Sequence, residues 1–292
     1  MPFTPSHIAA ALPLLRTPLP VAPLVIGTMA PDVPYFLPLR IPRDLTHSLL
    51  GVPTVDLALT VVLVLLWYAV LRPPVVDLLP AVVRERMAPR GAAGWRPAGQ
   101  RWLPAICLAV LAALVGILTH LAWDAFTHEN SPLVRAVPLL HTELGPLQVS
   151  SWLQHASTIG GLVALALWAR SWMRRTPRVP VPSPTAPGTR AAAWAAVTAA
   201  FGLAGFAVLL AGMSVGIAPL DPSRLFVGVT VAGGAAGFLG VLICVMWWLH
   251  RAVLHRALLH RALLHRALLH RAEHRDDLAE HLGVVAQDRL ER

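Results

Sequence analysis

Residues 103–121 read LPAICLAVLAALVGILTHL, and this stretch decides the fold. It predicts a helix that crosses a membrane, because a bilayer span needs about 20 mostly apolar residues. Apolar runs of similar character cover residues 55–71, 156–172, 191–217 and 225–249. We therefore expect an all-α, polytopic integral membrane protein with about five transmembrane helices.

The composition of the whole chain agrees with this reading. Of its 292 residues, 56% are hydrophobic and only 13% are charged, whereas about a quarter of the residues of a soluble domain are charged. The net charge of +9 would indicate a nucleic-acid partner in a soluble protein. In a membrane protein the basic residues report orientation instead, so we expect membrane lipids and no nucleic acid as partners. The composition leaves the oligomeric state open.

Arginine is unevenly distributed among the segments that connect the apolar runs. Six Arg residues lie in 72–102, four in 173–190 and eight in the tail after residue 249, but 122–155 and 218–224 carry one each. Positively charged connecting segments stay in the cytoplasm. The C-terminus is therefore predicted to be cytoplasmic, and the segments predicted to face outward are 31–54, 122–155 and 218–224.

The first thirty residues do not resemble an ordinary span. Residues 8–30 are apolar but contain Arg16 and four prolines, and proline interrupts a helix. We expect two short helical pieces that form an interfacial or re-entrant hairpin at the outer leaflet, which leaves the N-terminus outside. The alternative is a sixth span.

Composition divides the chain into four parts. The front membrane domain, 1–176, carries three predicted spans, and a Pro-rich cytoplasmic linker, 177–190, follows it. A rear hairpin of two helices, 191–249, precedes a basic repeat and polar cytoplasmic tail, 250–292. Within 249–272 a histidine recurs every five residues. Successive histidines are thus rotated by about 140° around a helix, which predicts a basic helix at the inner membrane surface and no metal-binding face.

Outside the tail, six histidines remain, and all fall in or beside segments assigned to the outer face. They are His7, His47, His120, His128, His141 and His155. Acidic residues share the same segments, among them Asp32, Asp44 and Asp124. Imidazoles and carboxylates gathered at one membrane surface suggest a metal site.

The most specific pattern is His120-Leu-Ala-Trp-Asp124-Ala-Phe-Thr-His128. Residues four apart advance by about 40° on a helix, so these three side chains share one face. A histidine and a carboxylate one turn apart can bind one divalent ion. The alternative is a polar cap in which His120 is hydrogen bonded to Asp124.

Three weaker signals come from the N-terminal segments. Asp32 stands in the turn Met29-Ala-Pro-Asp32, His47 follows Asp44 just ahead of the first span, and His7 opens the first short helix. An aspartate in such a turn is also common as a simple cap. Together with the His120 segment, these residues supply three histidines and two aspartates from four separate segments on one side.

These motifs resemble a known bacterial membrane family, catalogued as domain of unknown function 4184. The resemblance covers about residues 1–250 in order. It rests on Met1-Pro-Phe-Thr-Pro-Ser-His7, Met29-Ala-Pro-Asp32, Thr46-His47-Ser48, the His120–His128 segment and Gln154-His155-Ala-Ser-Thr158. The motif order is also similar to that of predicted membrane-bound metal-dependent hydrolases and, more distantly, to that of zinc-dependent phospholipase C.

The resemblance implies a ligand set and an activity. The implied ligands of a divalent metal, expected to be zinc, are His7, Asp32, His47, His120, Asp124 and His128. Asp32 or Asp124 is expected to be the catalytic base if it is not a ligand, and Gln154 and His155 are expected to add a ligand or to support the others. The expected location is the bacterial cytoplasmic (inner) membrane.

Two hypotheses of different classes follow. The leading one is a membrane-bound, metal-dependent hydrolase that cleaves a phosphoester or similar bond of a lipid or envelope substrate at the extracytoplasmic face. The alternative is a non-enzymatic membrane protein whose His and Asp residues are structural or bind metal without turnover. A transporter ranks third, because it would need ionisable residues at mid-membrane.

Overall fold

The computed structural model describes residues 4–36, 40–87, 102–181, 183, 185–214 and 227–253. Within these residues the fold is almost entirely helical, as the apolar runs predict. The described strands are β1 (Glu143–Leu144) and β2 (Leu147–Gln148), which pair as a short antiparallel hairpin. Gly145 closes its turn with a φ of 66°, a conformation that glycine adopts without strain. Most of the histidine repeat predicted as a basic helix lies outside the described residues.

The helices follow one another closely along the chain. In order they are a 3₁₀-helix (Thr4–Arg16), α1 (Val21–Gly27), a 3₁₀-turn (Ala30–Asp32), α2 (Val33–Phe36), α3 (Arg43–Thr46), a π-turn (Val52–Asp56), α4 (Leu57–Leu66), a π-turn (Trp67–Leu71), α5 (Arg72–Leu78), α6 (Ala81–Met87), α7 (Trp102–Thr127), α8 (Pro132–Ala136), α9 (Pro138–His141), α10 (Val149–Arg175), α11 (Pro187–Ser214) and α12 (Val227–Val253).

Four of the helical stretches are long and apolar enough to cross a membrane. They are the continuous stretch Val52–Leu78, α7, Pro187–Met213 of α11, and α12. At 1.5 Å per residue, 26 or 27 residues reach about 40 Å, more than the roughly 30 Å of a bilayer core. The chain is therefore a polytopic, all-α membrane protein.

The predicted run 156–172 lies within α10, which is equally long but less apolar. Polar residues open this helix, among them Ser150, Ser151 and Gln154, and Arg170, Arg174 and Arg175 lie near its end. For this reason α10 does not join the four apolar helices, although its 27 residues would reach across a bilayer. Large apolar side chains such as Ile159 and Leu167 are exposed along it, as on the four apolar helices.

Residues 8–30 form two short helical pieces instead of one span. The 3₁₀-helix Thr4–Arg16 contains Pro13, and α1 begins after Pro20. Each proline lacks the amide proton that a continuous helix needs. The two pieces have different main partners, since the 3₁₀-helix packs chiefly against α10 and α1 chiefly against α7.

Small residues let α1 and α7 approach each other closely. A Cβ atom at Gly27 would lie 2.5 Å from the carbonyl oxygen of Ala113, and one at Gly116 would collide with the carbonyl oxygen of Leu24. Beside this contact, two small apolar clusters form around Leu24 and Ile117. Backbone contact through small residues is typical of helices that pack in a membrane.

At one end of the helices, hydrogen bonds join α5, α6, α10, the predicted linker and α11. Arg86 Nε donates to the carbonyl oxygens of Met173 and Thr176, both at 2.9 Å, so α6 is fixed to the end of α10. The predicted linker packs here too, because the amide of Val179 donates to the carbonyl oxygen of Glu85 at 3.0 Å. Trp194 Nε1 of α11 donates to the carbonyl oxygen of Leu78 at 2.9 Å.

The chain divides into two compact units, Met1–Val241 and Leu242–Arg292. In the second unit the described residues belong to α12, where the rings of Trp247 and Trp248 meet edge to face. The guanidinium group of Arg251 lies over the Trp247 ring, 4.9 Å from its centre. All the candidate site residues belong to the first unit.

Candidate metal centre

One face of α7 carries the packing contact and two of the site residues. Gly116, His120 and Asp124 follow one another at intervals of four residues, and His128 comes directly after the helix ends at Thr127. Residues at this spacing lie on nearly the same side of a helix. His120 is fully buried and Asp124 is 5% exposed, so this face points into the protein.

Three N-terminal segments bring further ligand types to this face. His7 comes from the first 3₁₀-helix, Asp32 ends the 3₁₀-turn after α1, and His47 follows α3. His7 stacks on His120 with ring centres 3.9 Å apart, and His47 meets His120 edge to face at 5.4 Å. All six residues proposed as ligands from the sequence are therefore gathered in one cluster, which we call the His/Asp cluster.

The histidines of the cluster point their ring nitrogens at its two carboxylates. From Nε2 to carboxylate oxygen the separations are 3.5 Å for His7–Asp124, 3.4 Å for His47–Asp32, 3.4 Å for His47–Asp124, 3.7 Å for His120–Asp32 and 3.6 Å for His120–Asp124. The sixth residue, His128, has its Nδ1 atom 3.4 Å from Asp124 Oδ2. These separations exceed the usual 2.7–3.2 Å of a hydrogen bond. The cap in which His120 would be hydrogen bonded to Asp124 is therefore not what the structure contains.

Hydrogen bonds behind the cluster fix which nitrogen faces inward. His120 Nδ1 donates to the carbonyl oxygen of Thr28 at 2.8 Å, and His128 Nδ1 to that of Asp124 at 3.1 Å. His47 Nδ1 lies 2.9 Å from Thr46 Oγ1, whose own proton goes to the carbonyl oxygen of Arg43. In His47 and His120 the Nδ1 atom is occupied from behind, which leaves Nε2 for the cluster, whereas in His128 Nδ1 is also the atom that lies 3.4 Å from the Asp124 carboxylate. Metal-binding histidines are oriented in this way.

Asp32 is held in the same manner. Thr4 Oγ1 donates to Asp32 Oδ2 at 2.7 Å, so the other oxygen, Oδ1, faces His47 and His120. Asp32 is completely buried. The supporting threonine comes from the first helical turn of the chain, and the sequence motif gave no indication of it.

Seven buried side-chain atoms of the cluster have no hydrogen-bond partner among the described residues. They are His7 Nε2, Asp32 Oδ1, His47 Nε2, His120 Nε2, both oxygens of Asp124, and His128 Nε2. A buried polar atom left in this condition costs about 1–3 kcal/mol. Seven such atoms around one point are expensive unless something binds there, and their chemistry matches a cation with nitrogen and oxygen ligands.

The separations within the cluster also suit a shared ion. Ligand atoms at 2.0–2.1 Å from a tetrahedral zinc ion lie about 3.3–3.4 Å from each other. The shorter separations in the cluster, 3.4 and 3.5 Å, are close to that value. Two groups of three residues each bring their ligand atoms within 4.8 Å of one another: His7, Asp32 and His120, and His47, His120 and Asp124.

The pKa values of the cluster histidines differ, because burial lowers the pKa of a histidine and nearby carboxylates raise it. Burial, together with the nearby His120, lowers the pKa of His7 to about 4, and burial lowers the pKa of His128 to about 4. Burial also acts to lower the pKa of His47, but Asp124 and Asp32 outweigh it and raise that pKa to about 9. Burial acts to raise the pKa of Asp32, but His47 and His120 hold it below its usual value. His7 and His128 are therefore neutral at pH 7, the form that binds metal.

A polar cavity of about 310 Å³ leads to the cluster. The cluster contributes His47, Asp124 and His128 to its lining. Its remaining walls include two arginines, Arg43 and Arg135. The NH2 nitrogen of Arg43 lies 3.7 Å from Asp124 Oδ2. The cavity gives a ligand access to the cluster and presents two positive charges beside it.

Sequence reasoning missed two residues of this region. Arg43 lies next to the Asp44 that was considered, but its role depends on a fold that brings α3 to α7. Asp56 is fully buried, neither of its carboxylate oxygens has a hydrogen-bond partner among the described residues, and His47 and His120 are near enough to act on its charge. An acid inside the apolar run 55–71 was the available signal, because such residues are costly in a membrane.

Gln154 and His155, the residues expected to add a ligand or to support the others, make no hydrogen bond or ion pair with the cluster among the described contacts. Both belong to α10, where His155 is exposed. The carbonyl oxygen of Gln154 accepts hydrogen bonds from Ser157 and Thr158, which is a contact within the helix.

Fold and site together define a polytopic helical membrane protein with a buried cluster of histidines and aspartates beside a polar cavity. The chain belongs to the family described as domain of unknown function (DUF4184), whose family model matches residues 1–247. That range contains the whole cluster and most of α12. No curated protein and no solved structure matches the chain.

Proposed function

We propose that the protein is a metal-dependent hydrolase of the membrane, which cleaves a phosphoester or similar bond of a lipid or envelope substrate. The observation that carries this proposal is the orientation of the cluster. His47 and His120 are held at Nδ1 from behind, and their Nε2 atoms face carboxylate oxygens of Asp32 and Asp124 that lack hydrogen-bond partners among the described residues. These two histidines and two carboxylates, together with His7, fit a divalent ion, with zinc as the proposed metal.

The ligand residues fall into two groups by access. His7, Asp32 and His120 are buried and absent from the lining of the polar cavity, so they would hold the ion from the protein side. His47, Asp124 and His128 line the cavity and would meet a substrate. A bound divalent ion lowers the pKa of a water molecule and polarises a phosphoryl oxygen.

Hydrolysis then requires a proton acceptor and a binding site for the substrate anion. Asp124 supports the first role, because it lines the cavity and has two carboxylate oxygens without hydrogen bonds, of which one would bind the ion and the other would accept the proton, whereas Asp32 is completely buried. Oxygen from water would bond to phosphorus, the ester P–O bond would break, and the proton would pass to the departing alcohol. Arg43 and Arg135 would bind the phosphoryl oxygens from the cavity wall.

We place the site at the extracytoplasmic face of the bacterial cytoplasmic membrane, with the C-terminus in the cytoplasm. The arrangement of the helices supports this placement. The cluster lies where the stretch Val52–Leu78 begins and α7 ends, whereas Arg86 and the Arg-containing residues 173–178 meet at the other end. Arginine-rich segments stay in the cytoplasm, so the cluster is expected outside.

Metal analysis of the detergent-purified protein tests the proposal. We expect the wild type to contain about one zinc ion per chain and the double variant His120→Ala/Asp124→Ala to contain almost none. A matched control, His141→Ala/Glu143→Ala, removes a histidine and an acidic residue outside the cluster and should keep its zinc. Zinc-loaded wild type should hydrolyse p-nitrophenyl phosphate or bis(p-nitrophenyl) phosphate, and the cluster variant should not.

Two results would count against the proposal. A wild type that binds no divalent metal, with unchanged folding in the cluster variant, would remove the metal site altogether. Stoichiometric zinc without hydrolysis of any phosphoester would instead favour a non-enzymatic protein that binds metal. Thermal melting followed by circular dichroism separates both results from simple misfolding.

Cysteine labelling tests the placement in the membrane. In a background with Cys107 and Cys244 replaced by serine, Asn130→Cys should react with an impermeant maleimide added to intact cells. Arg90→Cys should react only after the cells are permeabilised. The reverse pattern would place the cluster on the cytoplasmic side.

A further inference from the structure

A second cavity touches the His/Asp cluster and differs sharply from the first. It has a volume of about 330 Å³ and lies between the first 3₁₀-helix, α7 and α10. His7 contributes to its lining, as does Trp123, the neighbour of Asp124. Its remaining walls are nearly all small and apolar, including Ala9, Ala10, Gly160 and Ala164. We call it the apolar groove.

Glycine residues of α10 create the groove. A Cβ atom at Gly161 would lie 2.9 Å from the carbonyl oxygen of Ser6, so this glycine lets α10 contact the segment that carries His7. One residue earlier, a Cβ at Gly160 would have no atom within 4 Å. The helices therefore touch at Gly161 and leave open space beside it.

Large exposed apolar side chains lie near in sequence to the walls of the groove. Ile159 and Val163 of α10 are 65% and 51% exposed, and Phe126 of α7 is 47% exposed. Exposed apolar side chains of a membrane protein are suited to contact with hydrocarbon chains. The groove is thus an apolar recess that reaches His7 and has exposed apolar side chains beside it along α10.

The cluster therefore lies between two cavities of opposite character. The polar cavity has two arginines and meets the cluster at His47, Asp124 and His128, and the apolar groove meets it at His7. A small water-soluble phosphoester would use the first cavity alone. An amphiphile would use both, because its charged group suits the arginines and its hydrocarbon chain suits the groove.

We propose that the substrate is a membrane lipid with a phosphoester head group, whose hydrocarbon chain occupies the apolar groove while the head group enters the polar cavity. This inference rests on the proposed function for the reaction itself. The binding of the chain in the groove stands on the geometry around Gly160 and is measured without turnover.

Photo-crosslinking tests the position of the chain. The purified full-length protein would be placed in phosphatidylcholine nanodiscs that contain phosphatidic acid with a diazirine on its acyl chain. After illumination, labelled peptides should come from the first 3₁₀-helix and from α10 around Gly160 and Ala164. Labels confined to other helices would overturn the proposal.

Filling the groove provides the decisive variant. Gly160→Leu places a side chain in the open space, and we expect it to reduce crosslinking at least about fivefold, because overpacking costs 1 kcal/mol or more. The matched control is Gly202→Leu on α11, where a Cβ also has no atom within 4 Å but no cluster residue is near. The Gly202→Leu variant should be labelled like the wild type.

Equal labelling of Gly160→Leu and the wild type would overturn the proposal. If Gly160→Leu loses its zinc or its thermal transition, Ala164→Leu takes its place.

Two substrates distinguish a lipid from a free phosphoester. Gly160→Leu should hydrolyse water-soluble p-nitrophenyl phosphate at the wild-type rate but phosphatidic acid at least about fivefold more slowly. Equal losses on both substrates would contradict a role for the groove in binding the chain. If the wild type hydrolyses neither substrate, the proposed function fails, and the crosslinking result still decides whether the groove binds a lipid chain.

Discussion

The two ends of the helical bundle each bury an aspartate, but in opposite conditions. Asp77 of α5 is 7% exposed, and its oxygens accept hydrogen bonds from Ser183 Oγ at 2.6 Å and from Thr185 Oγ1. Asp124 of α7 is 5% exposed, and neither of its oxygens has a hydrogen-bond partner among the described residues. A satisfied carboxylate stabilises the contact it makes, whereas an unsatisfied one requires a ligand. This difference separates a structural contact from a binding site.

Substitution of each aspartate by asparagine should give the largest difference between the two ends. Asp124→Asn removes a charged ligand, and we expect zinc binding to weaken by about 4 kcal/mol, or roughly a thousandfold. Asp77→Asn should retain wild-type zinc affinity and lose only about 1–2 kcal/mol of stability. Zinc titration with a competing chelator measures the first effect, and thermal melting measures the second. Comparable zinc loss in both variants would show that the two ends do not differ in function.

A change of pH should alter zinc binding at the cluster but should not affect the contact around Asp77. The carboxylates raise the pKa of His47 to about 9 in the metal-free protein, so at pH 6–8 an ion must displace one proton from this ring. Zinc affinity should therefore rise at least about tenfold per pH unit, or at least about a hundredfold from pH 6 to 8. His7 and His128, with pKa values lowered to about 4, add no slope in this range. A flat profile, or an unchanged slope in His47→Gln, would contradict this assignment.

A bulkier residue at Gly116 should disturb the cluster from a distance. Its Cβ would collide with the carbonyl oxygen of Leu24, and α1 would have to move together with the Thr28 carbonyl that orients His120. We expect Gly116→Val to cost about 1–3 kcal/mol of stability and to weaken zinc binding roughly thirtyfold. The same change at Gly202, where there is open space, should leave both unchanged. Wild-type zinc affinity in Gly116→Val would show that the close contact does not position His120.

The smallest expected effect concerns the support of His47. Thr46→Ala removes the hydroxyl that accepts the Nδ1 proton of His47, and loss of such a supporting group costs about tenfold in metal affinity. Thr46→Ser should restore the affinity, because it returns the hydroxyl. If alanine and serine behave alike in the chelator titration, the hydrogen bond has no part in metal binding.

The sequence was sufficient to identify the membrane class and to select the cluster residues. Apolar length predicts the spans, because a bilayer imposes the same requirement on each of them. His120 and Asp124 could be assigned to one face because a regular helix fixes their relation. His7, Asp32 and His47 came from three short segments. The distribution of arginine assigned them to the same side of the membrane as the His120 segment, and the resemblance to a family joined them to it as one ligand set.

Other parts of the site depend on tertiary contacts that no spacing encodes. The carbonyl oxygen of Thr28 reaches His120 only because Gly27 and Gly116 bring two helices together. Thr4, Arg43 and Asp56 acquire their surroundings in the same way, from elements distant in the chain. His155 is a different case, because a histidine within a recognisable motif is exposed on α10 and has no hydrogen bond or ion pair to the cluster among the described contacts.

The four-residue spacing of α7 has a consequence for how this helix can change. Gly116 determines how closely a neighbour approaches, and His120 and Asp124, four and eight residues further on, belong to the proposed metal site. An insertion of one residue between Gly116 and His120 would turn the cluster side chains by about 100° toward the hydrocarbon. The spacing along α7 therefore fixes both the packing contact and the direction of the cluster side chains. Residues can be inserted in the loops without changing this spacing, but not between Gly116 and Asp124.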